Sequence, residues 1–276
     1  VSRRCAENPA CTLCRTARME GCILKPGDYR LLLAACLAVV AYVPAAMAED
    51  PMPVYDEPIG KTVFDRISRS LDPQSCTPKA KSGKWLRNYI HYPDQFSRQL
   101  AAMLPLLDHV SIEIRNRGLP MEFALIPFVE SRYLPDAVAK GGPTGLWQMM
   151  PNTAKHYGLR IGGRNDGRLS AIESTTAALA YLEFLQSTFG NWQTSIMAYN
   201  AGDSRLRTSL KKQGLSRADA DSGLPTGLAP HTYAYVRKIE ALVCFFLAPG
   251  DYGVDLPLET AFTPLLTRPE LSISSN

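Results

Sequence analysis

The sequence has little net charge once its first 48 residues are set aside. The 276 residues contain 30 Lys and Arg and 26 Asp and Glu, a formal net charge of +4. Six of these basic residues and three of the acidic ones precede residue 49, which leaves 24 basic and 23 acidic residues in the remainder. A nucleic-acid-binding domain carries a clustered excess of positive charge. The balance therefore excludes nucleic acid from the expected partners.

Cysteine and histidine are also scarce, with 7 Cys and 4 His in the chain. The spacing of Cys5, Cys11 and Cys14 lacks the second pair or nearby histidines that a zinc site requires. We therefore expect neither a metal nor a cofactor. Beyond residue 48 only Cys76 and Cys244 remain. In an oxidising compartment they would form one disulfide across a long loop, and two unpaired thiols are the alternative that the sequence leaves open.

Long apolar runs are limited to Leu31–Val43, which is too short for a comfortable membrane span. Lys25 and Arg30 lie just before this run, and Ala46-Met47-Ala48 follows it with the small residues of a cleavage site. This order is typical of a secretory signal peptide. The sequence predicts that residues 1–48 are removed before Glu49 and that the protein is periplasmic.

Two features complicate the leader. Met19 would give the signal peptide better proportions, so residues 1–18 reflect either an alternative start codon at Val1 or an over-extended start. Leu33-Ala-Ala-Cys36 resembles a lipoprotein cleavage box and would anchor the protein through Cys36. Fewer apolar residues precede that cysteine than a signal core normally has, which favours the unanchored form.

Alternation of apolar and polar residues, the pattern of half-buried strands, is scarce, and no internal repeat occurs. Apolar residues recur instead at helical spacing, which predicts a mainly α fold. We divide the chain into the signal segment 1–48, a linker with a short helix at 49–93, a compact helical domain at 94–248 and an extension at 249–276. The extension is rich in Pro, Leu and Thr, and we expect it to be loosely packed.

Caps and breakers place the individual helices. Ser170 and Glu173 form a capping box at the start of the clearest helix, and Gly190 ends it. The Pro-, Lys- and Ser-rich stretch Asp72–Gly83 is predicted to be a loop. Helices are expected at 61–71, at 94–117 as one helix or a pair, from Pro120 onward with a kink at Pro127, and at 171–189, 191–200, 206–212 and 232–246.

Glu130-Ser131 follows the apolar run Phe123–Val129 and falls near the end of its predicted helix. Burial disfavours a charged carboxylate, and the negative end of the helix dipole adds to that effect. Both raise the pKa toward the range that a general acid needs near neutral pH, as in the cleavage of a glycosidic bond. The alternative is a surface glutamate paired with Arg132.

Two further motifs follow Glu130-Ser131 in order. Gly145-Leu-Trp-Gln148 lies after a glycine-rich loop, and its Trp147 and Gln148 would offer a sugar-stacking face and an amide. Ala198-Tyr-Asn-Ala-Gly202 comes later. Each has a structural alternative, a turn with Trp147 in the core and an ordinary helix end with a left-handed glycine. The ordered occurrence of the motifs favours the functional interpretation.

Together with Asp166-Gly-Arg168, Ser174–Ala178 and Thr232–Val236, these motifs resemble the lytic murein transglycosylases of the soluble-transglycosylase, goose-type-lysozyme-like family. The membrane-bound D-type members are the most similar, and the resemblance covers residues 120–247. It implies a lysozyme-like helical domain with an N-terminal helical extension. Asp166 and Arg168 fit this pattern, and we interpret them as a structural ion pair.

By this resemblance Glu130 is the single catalytic acid/base. It would protonate the oxygen between N-acetylmuramic acid and N-acetylglucosamine, and would then accept the proton of the muramyl 6-hydroxyl to leave a 1,6-anhydro end. The two-carboxylate scheme of most glycosidases is not expected, and Asp136, the next carboxylate, is interpreted as a solvated turn residue. The residues implied in substrate binding are Ser131, Gln148, Tyr199, Asn200 and Tyr235.

The sequence leaves two other functions open. A hydrolytic muramidase would use water in place of the 6-hydroxyl, and a peptidoglycan-binding or assembly protein would use the same cleft without catalysis. The expected partner is the peptidoglycan glycan strand, with a cell-wall or secretion-machine protein as a further candidate. We expect a monomer.

Overall fold

The structure, a computed structural model, describes residues 59–81, 84–162, 165–215 and 223–265. The predicted signal peptide, its cleavage site and the alternative anchor at Cys36 lie outside these ranges. Within them no β-strand forms, apart from the isolated bridges Val138–Thr144 and Thr144–Met149. The expectation of a mainly α fold is therefore confirmed. None of the helices described is both long and apolar enough to cross a membrane.

The described residues form helices joined by short 3-10 turns. The turns are Pro73–Ser75, Met121–Leu125, Gly167–Leu169 and Pro249–Tyr252. The α-helices are α1 (Ile59–Ser70), α2 (Pro78–Lys81), α3 (Lys84–Ile90), α4 (Pro93–Asn116), α5 (Ile126–Glu130), α6 (Pro151–His156), α7 (Ala171–Phe189), α8 (Trp192–Ala201), α9 (Asp203–Lys212) and α10 (Pro230–Leu247).

The long helix α4 is continuous through Pro105, so a pair of helices does not form here. A proline inside a helix removes one backbone hydrogen bond and crowds the preceding turn. The buried side chains of Met103, Leu104 and Leu107 lie on either side of it, and their burial offsets that cost. The capping predictions at Ser170 and Asn191 are confirmed, because each side chain accepts a backbone N–H three residues on.

The loop expected at Asp72–Gly83 is wrong in part, because a 3-10 turn and α2 form there. The cause is a long-range tie, the Cys76–Cys244 disulfide, which joins this segment to α10 over a sequence separation of 168. Trp192 adds a hydrogen bond from its Nε1 to Ser75 Oγ at 3.2 Å. The disulfide also decides between the two alternatives that the sequence left open for these cysteines.

Helices α1 and α3 share the core of the rest of the domain. Val63, Ile67 and Leu86 belong to the same buried cluster as the apolar face of α4. Arg66 on α1 forms an ion pair with Asp108 on α4, with 2.8 Å between Nη2 and Oδ1. The core therefore includes residues that precede the predicted start of the helical domain at 94.

The chain after α10 returns to the start of α1, so the expectation of a loosely packed tail is wrong for residues 249–265. The amide of Gly60 donates to Thr260 O at 3.3 Å, and that of Lys61 donates to Leu258 O at 2.9 Å. The first amides of a helix have no partner within it, and here the tail carbonyls supply one. Val254 is buried and fixes the path of this segment after α10.

Candidate active site

Glu130 ends a segment that is buried along nearly its whole length. Residues 121–128 are all buried, first in the 3-10 turn and then in α5, with Pro127 in the first turn of that helix. The helix expected from Pro120 onward is therefore a 3-10 turn followed by α5, and Pro127 lies at the start of α5. Helix α10 packs against both parts. The protein interior thus holds the backbone that carries Glu130.

The backbone reverses immediately after Glu130. Arg132 and Tyr133 have φ values of 55° and 61°, a left-handed conformation that side chains with a Cβ rarely adopt. Tyr133 is held in it because its ring is 2% exposed and its hydroxyl donates to Ala124 O at 2.6 Å. Such strained backbone persists only where surrounding contacts over-determine it. Here it turns the chain sharply at the end of α5.

The carboxyl group of Glu130 is largely buried and accepts a hydrogen bond from the Tyr235 hydroxyl, 2.6 Å from its Oε1. Burial raises the pKa of Glu130 from 4.5 to about 7, although Tyr235 and the nearby Lys238 both act to lower it. No ion pair between Glu130 and Arg132 occurs in the part of the chain described. The structure therefore contradicts the alternative of a surface glutamate paired with Arg132.

Two of the predicted site residues, Ser131 and Tyr199, hold the loop that contains the Gly145–Gln148 motif. Ser131 Oγ donates to Leu146 O at 2.8 Å, and the Tyr199 hydroxyl donates to Trp147 O at 2.7 Å. Both bonds end on the backbone of the Gly145–Gln148 motif. The hydroxyls of Ser131 and Tyr199 thus position this motif beside the end of α5.

Trp147 is fully buried, and its Nε1 donates to Thr175 Oγ1 on α7 at 3.0 Å. Of the two alternatives for Trp147, the structure supports the core position and contradicts the sugar-stacking face. Gln148 has a left-handed φ of 46°, and its Nε2 donates to Ala137 O and Gly145 O at 3.1 and 2.8 Å. Its amide nitrogen is thus tied to the loop.

Asn200 forms a hydrogen bond with α10, the helix that carries Tyr235. Thr232 Oγ1 donates to Asn200 Oδ1 at 3.1 Å, and Thr232 lies one turn before Tyr235 on the same helix. The structure therefore links Asn200 to the helix that contacts Glu130. Of the predicted residues, only Tyr235 contacts Glu130 through a hydrogen bond in the described ranges.

The predicted Asp166–Arg168 pair is confirmed, with 2.6 Å between Oδ2 and Nη2. Arg168 Nη1 also donates to Gly142 O at 2.6 Å and Met149 O at 3.0 Å. The guanidinium therefore fastens both ends of the loop that contains the Gly145–Gln148 motif. Sequence reasoning found the pair but not its attachment to the loop.

Gly145 marks the point of closest approach between this loop and Arg168. Its φ is +82°, and a Cβ there would collide with the Arg168 carbonyl. Gly141 in the same loop has a φ of +96°, and a Cβ there would meet no atom of the described residues within 4 Å. Alanine substitutions at the two glycines therefore separate the cost of the backbone conformation from the cost of the collision with Arg168.

We expect Gly145→Ala to destabilise the protein more than Gly141→Ala. Each substitution strains a positive φ at about 1 kcal/mol, and Gly145→Ala adds a further ~2 kcal/mol because the Arg168 carbonyl must move. Urea unfolding of both variants measures the difference in the free energy of unfolding. Equal losses in the two variants would show that the loop moves aside without cost.

Sequence reasoning missed a row of aromatic rings beside the site. The ring centroids of Tyr157 and Tyr181 lie 5.2 Å apart, and those of Tyr181 and Tyr199 lie 5.5 Å apart. Burial and the charge of Asp203 raise the pKa of Tyr181 to about 12. The three rings come from separate stretches of the chain, so no local pattern marks them. Lys238, three residues after Tyr235, could have been found from helical spacing.

The fold and the site together define a class of protein. Its members have a mainly helical, lysozyme-like domain with a buried carboxyl group at the end of a helix. Residues 111–221 match the family described as Transglycosylase SLT domain. Residues 111–221 therefore carry the domain of the lytic transglycosylases, as the sequence motifs predicted.

The chain is also similar to curated proteins, and two of the three described next are named lytic murein transglycosylases. The chain is 32% identical over 187 residues, 67% of its length, to the membrane-bound lytic murein transglycosylase D of Escherichia coli K12, of which it covers 40%. It is 39% identical over 107 residues, 38% of its length, to a putative tributyltin chloride resistance protein of Alteromonas sp. strain M-1, of which it covers 52%. It is 31% identical over 137 residues, 48% of its length, to the soluble lytic murein transglycosylase of E. coli K12, of which it covers 21%. The chain thus spans about half or less of the length of these relatives.

Proposed function

We propose that this chain is a lytic transglycosylase that cleaves the bond between N-acetylmuramic acid and N-acetylglucosamine in peptidoglycan without water. The observation that carries the proposal is the buried carboxyl of Glu130 at the end of α5, whose pKa of about 7 provides a protonated acid near neutral pH. Among the described residues, Lys238 is the charged group that shifts this pKa, and no carboxylate contributes. A retaining glycosidase of the usual kind would place a second carboxylate within about 5.5 Å.

The proposed reaction begins with protonated Glu130. Its proton passes to the glycosidic oxygen as the bond from that oxygen to the muramyl anomeric carbon breaks. The resulting Glu130 carboxylate accepts the proton of the muramyl 6-hydroxyl while that oxygen bonds to the anomeric carbon. Glu130 is thereby returned to its starting state, and the 1,6-anhydro ring forms. Tyr235 and Lys238 stabilise the carboxylate at the intermediate stage, since both favour its charged form.

The other site residues divide between positioning and binding in this proposal. Ser131 and Tyr199 hold the loop backbone through their hydroxyl groups. Gln148 and Asn200 retain an amide oxygen and an amide nitrogen, respectively, for the acetamido and hydroxyl groups of the sugars. Tyr235 orients the carboxyl of Glu130.

Product analysis tests the proposal directly. Purified sacculi are digested with the wild-type protein and with Glu130→Gln, and the soluble products are identified by mass spectrometry. Anhydro ends released by the wild type alone support a lytic transglycosylase. Reducing ends would show a muramidase, and an absence of products from both proteins would favour a peptidoglycan-binding role.

Tyr235→Phe should shift the pH dependence of cleavage upward. The Tyr235 hydroxyl donates to the carboxylate form of Glu130 and therefore holds its pKa down. Without it the pKa rises further, so the acid stays protonated to a higher pH by about one unit. The high-pH limb of kcat/KM measures this shift. Tyr233→Phe is the matched control, because the Tyr233 hydroxyl bonds to Pro225 and Leu228 instead. If the high-pH limb of Tyr235→Phe is not shifted, Tyr235 does not lower the pKa of Glu130.

We further propose that residues 1–48 direct export to the periplasm, that 94–248 form the catalytic domain, and that the protein acts as a monomer on glycan strands. The Cys76–Cys244 disulfide supports the location, because such bonds persist in oxidising compartments. Mass spectrometry of the mature N-terminus tests it. A chain that starts at Glu49 fits the proposal, and a diacylated Cys36 would replace it with an anchored form.

A further inference from the structure

A cavity opens beside the helix that carries Glu130. It has a volume of about 760 Å³ and lies between α3, the start of α4 and the turn after α5. Phe128 and Arg132 line it, and these residues bracket Glu130-Ser131 in the chain. Pockets that bind small molecules have volumes of about 300–1,000 Å³. The cavity is therefore large enough for a short peptide or a sugar.

The lining of this cavity is basic and amide-rich. Arg87, His91 and Arg132 contribute cationic or protonatable groups, and Gln95 and Gln99 contribute side-chain amides. No Asp or Glu is among the described lining residues. Asp94 lies nearby in the first turn of α4, but it is exposed and does not line the cavity. A ligand with carboxylate groups fits this arrangement.

Arg132 is the group best placed to bind such a ligand. Its side chain is exposed, and no carboxylate of the described residues forms an ion pair with it. Its left-handed φ of 55° follows from the reversal of the chain after Glu130 and directs this residue to the cavity rather than along α5. A guanidinium binds carboxylates through paired, charge-assisted hydrogen bonds.

From this cavity we infer a subsite for the acidic stem peptide of peptidoglycan, next to the glycan site. This rests on the proposed function. The stem peptide is attached to the lactyl group of the muramic acid whose glycosidic bond would be broken. It carries several free carboxylates, the first of them on its second residue. The enzyme would thus bind peptide-bearing strands more tightly than bare glycan.

The test compares two substrates that differ only in the peptide. Glycan strands are prepared with their stem peptides and, in parallel, after removal of the peptides with an amidase. Arg132→Gln should raise KM on the peptide-bearing strands about tenfold, with kcat retained, since it removes a charge-assisted pair. On the peptide-free strands its KM should equal that of the wild type. An equal change on both substrates, or none on either, would overturn the inference.

Two further variants make the comparison independent of the turn that contains Arg132. Gln99→Glu places a carboxylate in the cavity from α4, and we expect the same selective rise in KM because it repels the peptide. Arg98→Gln makes the same substitution as Arg132→Gln on an exposed residue that does not line the cavity. It should leave both substrates unchanged, and a selective effect there would reveal a general charge effect. Thermal unfolding verifies that each variant is folded.

Direct binding separates this inference from the proposed reaction. A free stem tetrapeptide without sugar is titrated calorimetrically into the wild type, Arg132→Gln and Glu130→Gln. Binding that is lost in Arg132→Gln but kept in Glu130→Gln supports the subsite, even if no cleavage is detected in any assay. Active enzyme that binds no tetrapeptide would overturn the subsite and leave the proposed function standing.

Discussion

Glu130→Gln is expected to lose cleavage activity by about a thousandfold or more and, at pH 8, to unfold less readily than the wild type. The loss follows because an amide neither donates the proton to the glycosidic oxygen nor accepts one, and general acid–base catalysis contributes typically about 10²–10⁴-fold. The gain in stability follows from the burial that tunes Glu130. The two effects have opposite signs because one group serves catalysis at a cost to the fold.

The pH dependence of this stability gain has a defined sign. The pKa of Glu130 is about 7 in the folded protein, against 4.5 for a free glutamate. Below pH 4.5 both states are protonated and the group costs nothing. Between these values only the unfolded chain loses the proton, so wild-type stability falls as pH rises. Above pH 7 the cost is constant at about 1–3 kcal/mol, which Gln does not incur.

Urea unfolding of both proteins at pH 4, 6 and 8 measures this difference. Glu122→Gln is the matched control, because Glu122 is also buried with a raised pKa, yet it accepts the Asp72 amide and is not one of the proposed site residues. It should show a pH-dependent stability change and keep its activity. Equal stability of Glu130→Gln and wild type at pH 8 would mean that the Glu130 carboxyl ionises freely, which would remove the basis of the general-acid role.

Replacement of both Cys76 and Cys244 by Ala should lower the free energy of unfolding by about 2–5 kcal/mol. The bond closes a loop with a sequence separation of 168, so its loss frees a large part of the unfolded chain. It also releases the segment around Ser75 from α10, the helix that carries Tyr235. Activity should therefore fall at temperatures well below those that inactivate the wild type.

Denaturation with and without a reductant measures the effect and supplies its control. Reductant should destabilise the wild type to about the level of the double variant and leave the double variant unchanged. Alanine is chosen because Cys244 is fully buried and a serine hydroxyl there would need a hydrogen-bond partner. A double variant as stable as the oxidised wild type would show that the packing of α10 alone holds this region.

The parts of the fold that the sequence predicted are those with local causes. Ser170 and Asn191 accept amides three residues away, so the starts of α7 and α8 could be read from the sequence. The apolar run before Glu130 likewise predicted a raised pKa for that residue, because burial is what raises the pKa of Glu130. Motif order then identified the family.

The features that escaped prediction depend on distant contacts. The sequence left the role of Trp147 open between sugar stacking and the core, because its core position depends on Thr175, 28 residues later. The helical structure of the segment after Asp72 depends on Cys244, and the packing of the tail depends on α1. The basic cavity combines α3, α4 and the turn at Arg132, and no local pattern joins those three elements.

The hydrogen bonds between the segment after α10 and the start of α1 also affect when the domain finishes folding. Gly60 and Lys61 lie at the start of the first described helix, yet their amides are satisfied by Leu258 and Thr260. A chain that is synthesised or exported from its N-terminus exposes α1 long before those carbonyls arrive, and contacts so distant in sequence form late. The two hydrogen bonds that cap the start of α1 therefore form only after Leu258 and Thr260 have been released.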